Sequence, residues 1–129
     1  YDLIVLDCPP TINLLAENVF TAADIVLAPV IPTTLSLRAH EQLVAFFDAN
    51  GYDKRQLYAF FSMVDGRKKM HRALIDQARR EFGNVLHSAI PNLSHVEQMG
   101  VHRAPVPVFA PSSPAAAAYA ALWAEVRSH

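Results

Sequence analysis

Apolar runs recur along the chain at intervals that a helix can fill. Residues 3–6 form a continuous β-prone run flanked by charged or turn residues, which is the pattern of a strand buried on both faces of a parallel sheet. Residues 25–28, 57–64 and 85–90 have the same character. The pattern therefore predicts a strand at each of these places.

Amphipathic stretches between these runs predict the helices. Thr11 is the expected N-cap of a helix that continues to about residue 22. Later segments predict helices over residues 36–49, 68–82, 94–99 and 115–126, and an extended stretch over residues 105–108. The resulting order, βαβαβαβ with a helical tail, indicates an α/β fold: one domain over residues 1–129, with a parallel sheet and helices on both faces.

The carboxyl ends of the predicted strands are the expected place for a site. That rule selects Asp7, Pro29, Asp65 and the pair Pro91–Asn92. Nucleotide hydrolases place at such a strand end the carboxylate that holds magnesium through water, whereas many other parallel strands end on an Asp that only caps a turn. For Asp7 alone the capping role is favoured, but the Pro-Pro pair at residues 9–10 fixes the backbone after it and strengthens the magnesium interpretation.

Composition limits the classes of function. Eleven Lys and Arg against twelve Asp and Glu leave a net charge of −1, so attraction to nucleic acid requires local clustering of cations. The single cysteine, Cys8, makes no internal disulfide, which fits an intracellular protein. The apolar runs are shorter than the roughly 20 residues that span a bilayer, so we expect a soluble, cytoplasmic protein. Because Tyr1 stands inside an apolar run, we interpret the sequence as a fragment.

Five segments, in order, resemble the ParA/MinD family, the deviant Walker partition ATPases. Residues 1–10, YDLIVLDCPP, resemble the family's switch II segment, and residues 22–32 are similar to its next helix-to-strand passage. Residues 63–67, MVDGR, resemble its Met-x-Asp-x-Arg turn, residues 90–92 its Ile-Pro strand end, and residues 105–119 its closing segment. The similarity covers nearly all 129 residues.

The resemblance implies a partial, doubly wound P-loop NTPase fold with ATP and Mg²⁺ as cofactors. It implies that Asp7 lies in switch II near the γ-phosphate and has the catalytic and metal-binding role, holding magnesium through water. Pro9, Met63, Pro91 and Asn92 are then nucleotide-binding residues, the last three near the adenine. The implied partners are non-specific DNA, a ParB-like protein and a second copy of the protein bound with ATP, at the nucleoid.

The chain departs from the family at the phosphate-binding loop. No Gly-x-x-x-x-Gly-Lys-Ser/Thr pattern occurs in it, and its four glycines stand too far apart to form one. In the family this loop precedes switch II. The resemblance therefore implies that an N-terminal P-loop half is missing and that the chain hydrolyses no ATP by itself.

A basic stripe on the third predicted helix is a second hint of function. At about 100° per residue its apolar side chains gather on one side and its cations on the adjoining side. With Arg67 and Arg103 as extensions of the stripe, the candidate contacts to DNA phosphates are Arg67, Lys68, Lys69, Arg72, Arg79, Arg80 and Arg103. A solvated helix face balanced by Asp76 and Glu81 is the alternative, and it stays open.

The other reactive side chains indicate no second site. The six histidines show no metal-ligand spacing, so surface or capping roles are expected for them. Cys8 is interpreted as a small buried filler rather than a nucleophile, because the neighbouring carboxylate of Asp7 disfavours a thiolate.

The main hypothesis is a DNA-partitioning ATPase that carries switch II, the adenine-side strand ends and a DNA-binding helix in this chain. A MinD-like positioning protein or a secretion or cellulose-synthesis regulator uses the same switch at a membrane. However, residues 115–129 are Ala-rich with few large apolar side chains and predict no stable membrane anchor. A catalytically empty interaction module and an amidotransferase-type synthase of the same fold are the remaining alternatives.

Overall fold

Three parallel strands form the centre of the molecule, in the order β1-β2-β3. The computed structural model describes residues 1–9 and 13–129. The strands are β1 (Val26–Val30), β2 (Leu57–Val64) and β3 (Val85–Pro91). They match the last three predicted strands to within about two residues, as expected for continuous apolar runs.

Seven helices surround the sheet within the described residues, and their bounds follow the predicted segments closely except at residues 94–109. They are α1 (Leu14–Ala22), α2 (Thr34–Asn50), α3 (Lys69–Glu81), α4 (Ser94–Glu97), α5 (Met99–His102), α6 (Val106–Phe109) and α7 (Pro114–Val126). A 3-10 helix, Lys54–Gln56, leads into β2.

Polar side chains cap the beginnings of α1 and α2. Asn13 Oδ1 accepts a hydrogen bond from the N–H of Ala16 at 3.0 Å, and Thr33 Oγ1 accepts one from the N–H of Ser36 at 3.3 Å. The predicted N-cap Thr11 lies outside the described residues. Gly51 ends α2 with φ of 73°, a left-handed conformation that glycine adopts without steric cost.

One face of the sheet is covered by α1, α2 and α3. Alternate residues of β2 point to this face, where Leu57 packs near Phe20 and Phe47, and Phe61 packs with Ile75 of α3. Because α2 and α3 each connect two neighbouring parallel strands in the same direction along the sheet, crossovers of one hand place both helices on this face.

The opposite face is covered by α7 over β2 and β3. Tyr58 and Phe60 of β2 point to it and pack around Leu86, Ile90 and Leu122. Within the described residues, the part of this face that belongs to β1 has no comparable cover, since Leu27 is 37% exposed. The predicted parallel sheet with helices on both faces is confirmed, and the cover on the second face is confined to one side.

The predicted first strand is not formed. Residues 1–9 contain no helix or strand, and the apolar side chains of residues 3–6 are between 53% and 76% exposed. A strand needs a neighbour for its backbone groups and side chains on its faces. Within the described residues, β1 pairs with β2 only, and residues 3–6 pair with no strand. Cys8, expected to be buried, is exposed.

The predicted extended stretch at residues 105–108 is also wrong. Val106–Phe109 is a short helix that begins after Pro105, because proline is compatible with the first turn of a helix. Val106 is fully buried against Ala115 and Ala116 of α7. Tertiary packing of one valine therefore overrides an apolar pattern that looked extended.

Candidate functional site

The carboxyl ends of β2 and β3 lie side by side and form a rim. Val64 is opposite Pro91 in the parallel ladder, and the N–H of Asn92 donates to the carbonyl of Val64 at 2.9 Å. Met63 is adjacent to this pair in the chain. The structure thus brings together Met63, Pro91 and Asn92, which the sequence had grouped, and we refer to these three residues as the β2–β3 rim.

Met63 has an unusual backbone conformation. Its φ is +55°, in the left-handed region, which residues other than glycine rarely adopt. The ladder between Phe61 and Val64 contains one more residue on β2 than on β3, so Met63 lies in a bulge. The side chain is 46% exposed. A strained, exposed residue at a strand end is a feature found at functional sites.

The turn after β2 is held by local hydrogen bonds. The Asp65 carboxylate accepts from the backbone N–H and from Nε of Arg67, both at 3.0 Å, and pairs with its Nη2. The hydrogen bond from the Arg67 side chain, followed by the one from its backbone N–H, lowers the pKa of Asp65 to about 2. The buried His71 fixes the same turn, because its Nδ1 accepts the N–H of Asp65 at 3.1 Å.

An equivalent Asp-x-Arg pair stands at the other end of β2. The Asp53 carboxylate accepts from the backbone N–H of Arg55 at 2.9 Å and pairs with its guanidinium, and the hydrogen bond from the Arg55 side chain again lowers the pKa of the Asp to about 2. The geometry at Asp65 is therefore ordinary turn chemistry of this local sequence. It positions the rim but is not by itself evidence of a ligand.

Asp7 is exposed in residues 1–9. Within the described residues no hydrogen bond or ion pair joins its carboxylate to the β2–β3 rim. The next residues, Cys8 and Pro9, line a groove of about 450 Å³ that runs along β1, between α1 and α2. We call this space the β1 groove. The sequence placed Asp7 and the rim on one edge of a common sheet, whereas the structure leaves Asp7 outside the sheet.

The residues present fit part of an ATP–magnesium site. Among the described residues no group of three or more His, Cys, Asp or Glu side chains is arranged to hold a metal ion directly, which leaves Asp7 as a single carboxylate of the kind that acts through water. Gly66, Gly83 and Gly100 have nothing within 4 Å of an added Cβ, so they form no close cradle. The chain therefore offers the β2–β3 rim and one carboxylate but no phosphate-binding loop.

The predicted basic stripe is exposed, but its members are not equivalent. All seven cations are exposed, and Ile75 and Ala78 of α3 are buried on the adjoining side of that helix. Arg67 is paired with Asp65, and Arg79 Nη2 donates to the carbonyl of His87 at 2.9 Å. The others make no salt bridge within residues 1–9 and 13–129: Lys68, Lys69, Arg72, Arg80 and Arg103.

Sequence reasoning missed two polar residues that the fold uses. His40 was expected at the surface or in a cap, but only 6% of it is exposed, on the sheet-facing side of α2. Its spacing of three residues from both Leu37 and Leu43 was the signal available in the sequence. Glu125 of α7 accepts from the backbone of β3, a long-range contact for which the sequence carries no signal.

Comparison with known proteins matches residues 1–58 to a family described as an AAA domain. The Bacillus subtilis sporulation initiation inhibitor protein Soj is 28% identical, with 100% of this chain and 53% of that protein aligned. The Thermus thermophilus chromosome-partitioning ATPase Soj is 31% identical, over 98% of this chain and 53% of that protein. The Caulobacter vibrioides chromosome partitioning protein ParA is 28% identical over 70% of this chain and 35% of that protein.

The chain spans about half the length of the relatives that it matches from end to end. The match to the AAA domain contains the YDLIVLDCPP segment, and the first two relatives extend the similarity through the β2–β3 rim to α7. Over this length the sequence matches the ParA/MinD family.

Proposed function

We propose that this chain is part of an ATP-dependent DNA-partitioning ATPase and supplies its switch II carboxylate, its adenine-side strand ends and a DNA-contacting helix. The observation that carries the proposal is the end-to-end similarity to two Soj proteins, one of which is named a chromosome-partitioning ATPase. In this function Asp7 holds magnesium through water, Pro9 shapes the chain after it, and the β2–β3 rim contacts the nucleotide base.

In this function the residues of the chain itself bind and orient the nucleotide. Asn92 is exposed beside the half-buried Pro91, so its side-chain amide is free to hydrogen-bond to a purine edge. When bound, Mg²⁺ neutralises charge on the phosphates. The phosphate grip comes from outside the 129 residues, and we expect no turnover from this chain alone.

The DNA contact is proposed for the unpaired cations of α3 and its flanks. Lys68, Lys69, Arg72 and Arg80 are exposed, and the apolar side of α3 is packed on the sheet. Such a surface binds phosphates without reading the base sequence. Arg67 and Arg79, already bonded within the chain, are expected to contribute less.

Gel retardation of DNA by the full-length gene product with ATP tests this assignment. The variant K68E/R72E should bind at least about tenfold more weakly and lower the slope of log affinity against log salt by about two. The control R38E/R127E changes the net charge equally at exposed positions of α2 and the end of α7. Equal losses in both variants would refute a local DNA-binding surface.

The cytoplasmic, nucleoid-associated location, a ParB-like partner and an ATP-bound dimer belong to the same proposal. Within the described residues, no helix has the length and apolar character to cross a bilayer. Ala115, Ala116 and Leu122 of α7 are buried inside the fold, so these side chains are not available to a membrane surface. Flotation of the protein with anionic liposomes would favour the membrane-positioning alternative over DNA partition.

A further inference from the structure

β3 carries a bulge whose backbone groups lie outside the ladder with β2. Ala59 is opposite Val85, and two residues later Phe61 is opposite Ala89, four residues later on β3. β3 therefore has two more residues than β2 over this interval. Residues looped out of a parallel ladder lose their strand partners, and their backbone groups need other ones.

Two helices on opposite faces of the sheet provide those partners. Glu125 of α7 accepts the N–H of His87 on Oε1 and the N–H of Ser88 on Oε2, each at 2.7 Å. Arg79 of α3 donates through Nη2 to the carbonyl of His87 at 2.9 Å. We call Glu125, Arg79 and the bulge residues His87 and Ser88 the β3 clamp. All three hydrogen bonds involve a charged side chain, which makes them stronger than neutral ones.

The electrostatics of Glu125 agree with this geometry. Burial is the largest single influence and raises the pKa of its carboxyl, but the hydrogen bonds from Ser88 and from the N–H of His87 outweigh it. The pKa lies below its ordinary value as a result. The clamp therefore holds a carboxylate, the form that accepts two N–H bonds.

The bulge sets the level at which β3 ends. With the β2 bulge at Met63 kept and the β3 bulge removed, Val64 would be opposite Ala89 instead of Pro91. Pro91 and Asn92 would then project two residues, roughly 6–7 Å, further along the strand direction. The hydrogen bond from Asn92 N–H to the Val64 carbonyl would also be lost.

We propose that Glu125 and Arg79 are positioning residues for nucleotide-base recognition: by holding the β3 bulge they place Pro91 and Asn92 at the β2–β3 rim. The inference rests on the proposed function for its ligand, a purine base, and on the ladder register for its geometry. It also gives α7 a role at the rim, although α7 contributes none of the three rim residues.

Amide hydrogen exchange on this chain tests the geometric part. In E125Q we expect the amides of His87, Ser88 and Asn92 to exchange about tenfold faster than in the parent protein. The amide of Leu37, bonded to Thr33 in α2, serves as the internal reference for global opening. The matched control E97Q changes an exposed glutamate of α4 and should leave all four rates unchanged.

Two outcomes of that experiment would overturn the geometric part. Faster exchange at His87 and Ser88 with no change at Asn92 would show that the clamp acts only locally. Equal acceleration at Asn92 and Leu37 would show that Glu125 only adds global stability. The variants R79K and R79Q separate charge from hydrogen-bonding reach, and we expect R79K to retain more protection at Asn92 than R79Q.

Nucleotide binding by the full-length gene product tests the functional part. We expect E125Q to bind ATP at least about threefold more weakly and to bind inorganic triphosphate unchanged, because only the base meets the rim. Equal ATP affinity in E125Q and the parent protein would overturn the positioning role. If the parent protein itself does not bind ATP, the proposed function fails, while the exchange data still decide whether the clamp places Asn92.

Discussion

The two edges of the sheet differ in how far they are covered by the rest of the described chain. At β3 three backbone groups of His87 and Ser88 are bonded to Glu125 and Arg79, and Ile90 is 1% exposed under α7. At β1 a groove of about 450 Å³ opens along the strand, and residues 3–6 stand exposed beyond it. Segments with the same apolar pattern are thus buried to different extents, because burial depends on which elements are available to pack on them.

This difference shows at which edge of the sheet other parts of the described chain bond to the strand's free backbone groups. Edge strands with free backbone groups are sites of further pairing, and proteins usually block them with charges, bulges or cover. β3 has a bulge and two charged side chains across it, whereas the described residues provide nothing of this kind for β1. The comparison predicts that substitutions on the β3 side lower the free energy of unfolding strongly and that substitutions in residues 3–6 do not.

Truncating an isoleucine on each side should show the largest contrast. I90A removes a side chain that is 1% exposed and should lower the free energy of unfolding by about 2–5 kcal/mol. I4A removes one that is 74% exposed and should change it by less than about 0.5 kcal/mol. Urea denaturation followed by circular dichroism measures both. Similar losses in the two variants would show that residues 3–6 are buried in solution.

Removing the charge of Glu125 should cost less than the loss of Ile90. We expect E125Q to lower the free energy of unfolding by about 1–3 kcal/mol at pH 7, because it weakens hydrogen bonds to a charged acceptor. The pKa of Glu125 is lower in the folded protein than its ordinary value of 4.5. The stabilisation is therefore complete above pH 4.5 and is lost as pH falls through the folded pKa.

Denaturation of the parent protein and E125Q at several pH values checks this sign. The difference between them should shrink below pH 4.5. A difference that grows as the pH falls would contradict the assignment of a carboxylate to the β3 clamp. The E97Q control should track the parent protein at every pH.

His40 lines the β1 groove, and its replacement by an apolar residue should stabilise the protein. Its Nδ1 is buried with no hydrogen-bond partner in the described residues, so H40L should raise the free energy of unfolding by about 1 kcal/mol at pH 7. Desolvation by burial lowers the pKa of His40 below 6.5, against a smaller opposing effect of Glu41. The parent protein should therefore lose stability as pH falls below 6.5, since the unfolded chain takes up the proton more readily.

Thermal melts of H40L at pH 7.5 and pH 5.5 measure this effect. On going from pH 7.5 to pH 5.5, the variant should lose less stability than the parent protein does. If H40L is destabilised at both pH values, Nδ1 has a partner in solution and the β1 groove is occupied there.

The smallest effect is expected at Cys8, and it is measured by reactivity rather than by stability. The thiol is exposed at the β1 groove, so Ellman's reagent should label the native protein at a rate within about tenfold of the rate in urea. The variant C8S should unfold like the parent protein. Strong protection of Cys8 in the native state would show that residues 1–9 are covered and would remove the contrast between the two edges.

The sequence anticipated most of the fold for reasons that are local. Apolar runs of the right length predicted β1, β2 and β3, and the periodicity of residues 68–82 predicted α3 with its basic face exposed. The strand-end rule selected Pro91 and Asn92 together with Asp65, because the carboxyl ends of parallel strands lie on one edge, and the family resemblance added Met63. Residues 3–6 had the same pattern as these strands and were mispredicted, since the pattern says nothing about the neighbour that a strand requires.

The sequence by itself determined three of the four predicted strands, the longer helices, the family motifs and the lack of a phosphate-binding loop, all of which are properties of short segments or of residue counts. Only the tertiary structure decided that Asp7 lies outside the sheet, that His40 is buried and that Glu125 reaches the backbone of β3. These depend on contacts between residues far apart in the chain. Such contacts form according to which surfaces remain uncovered after the helices pack, and no local pattern records that.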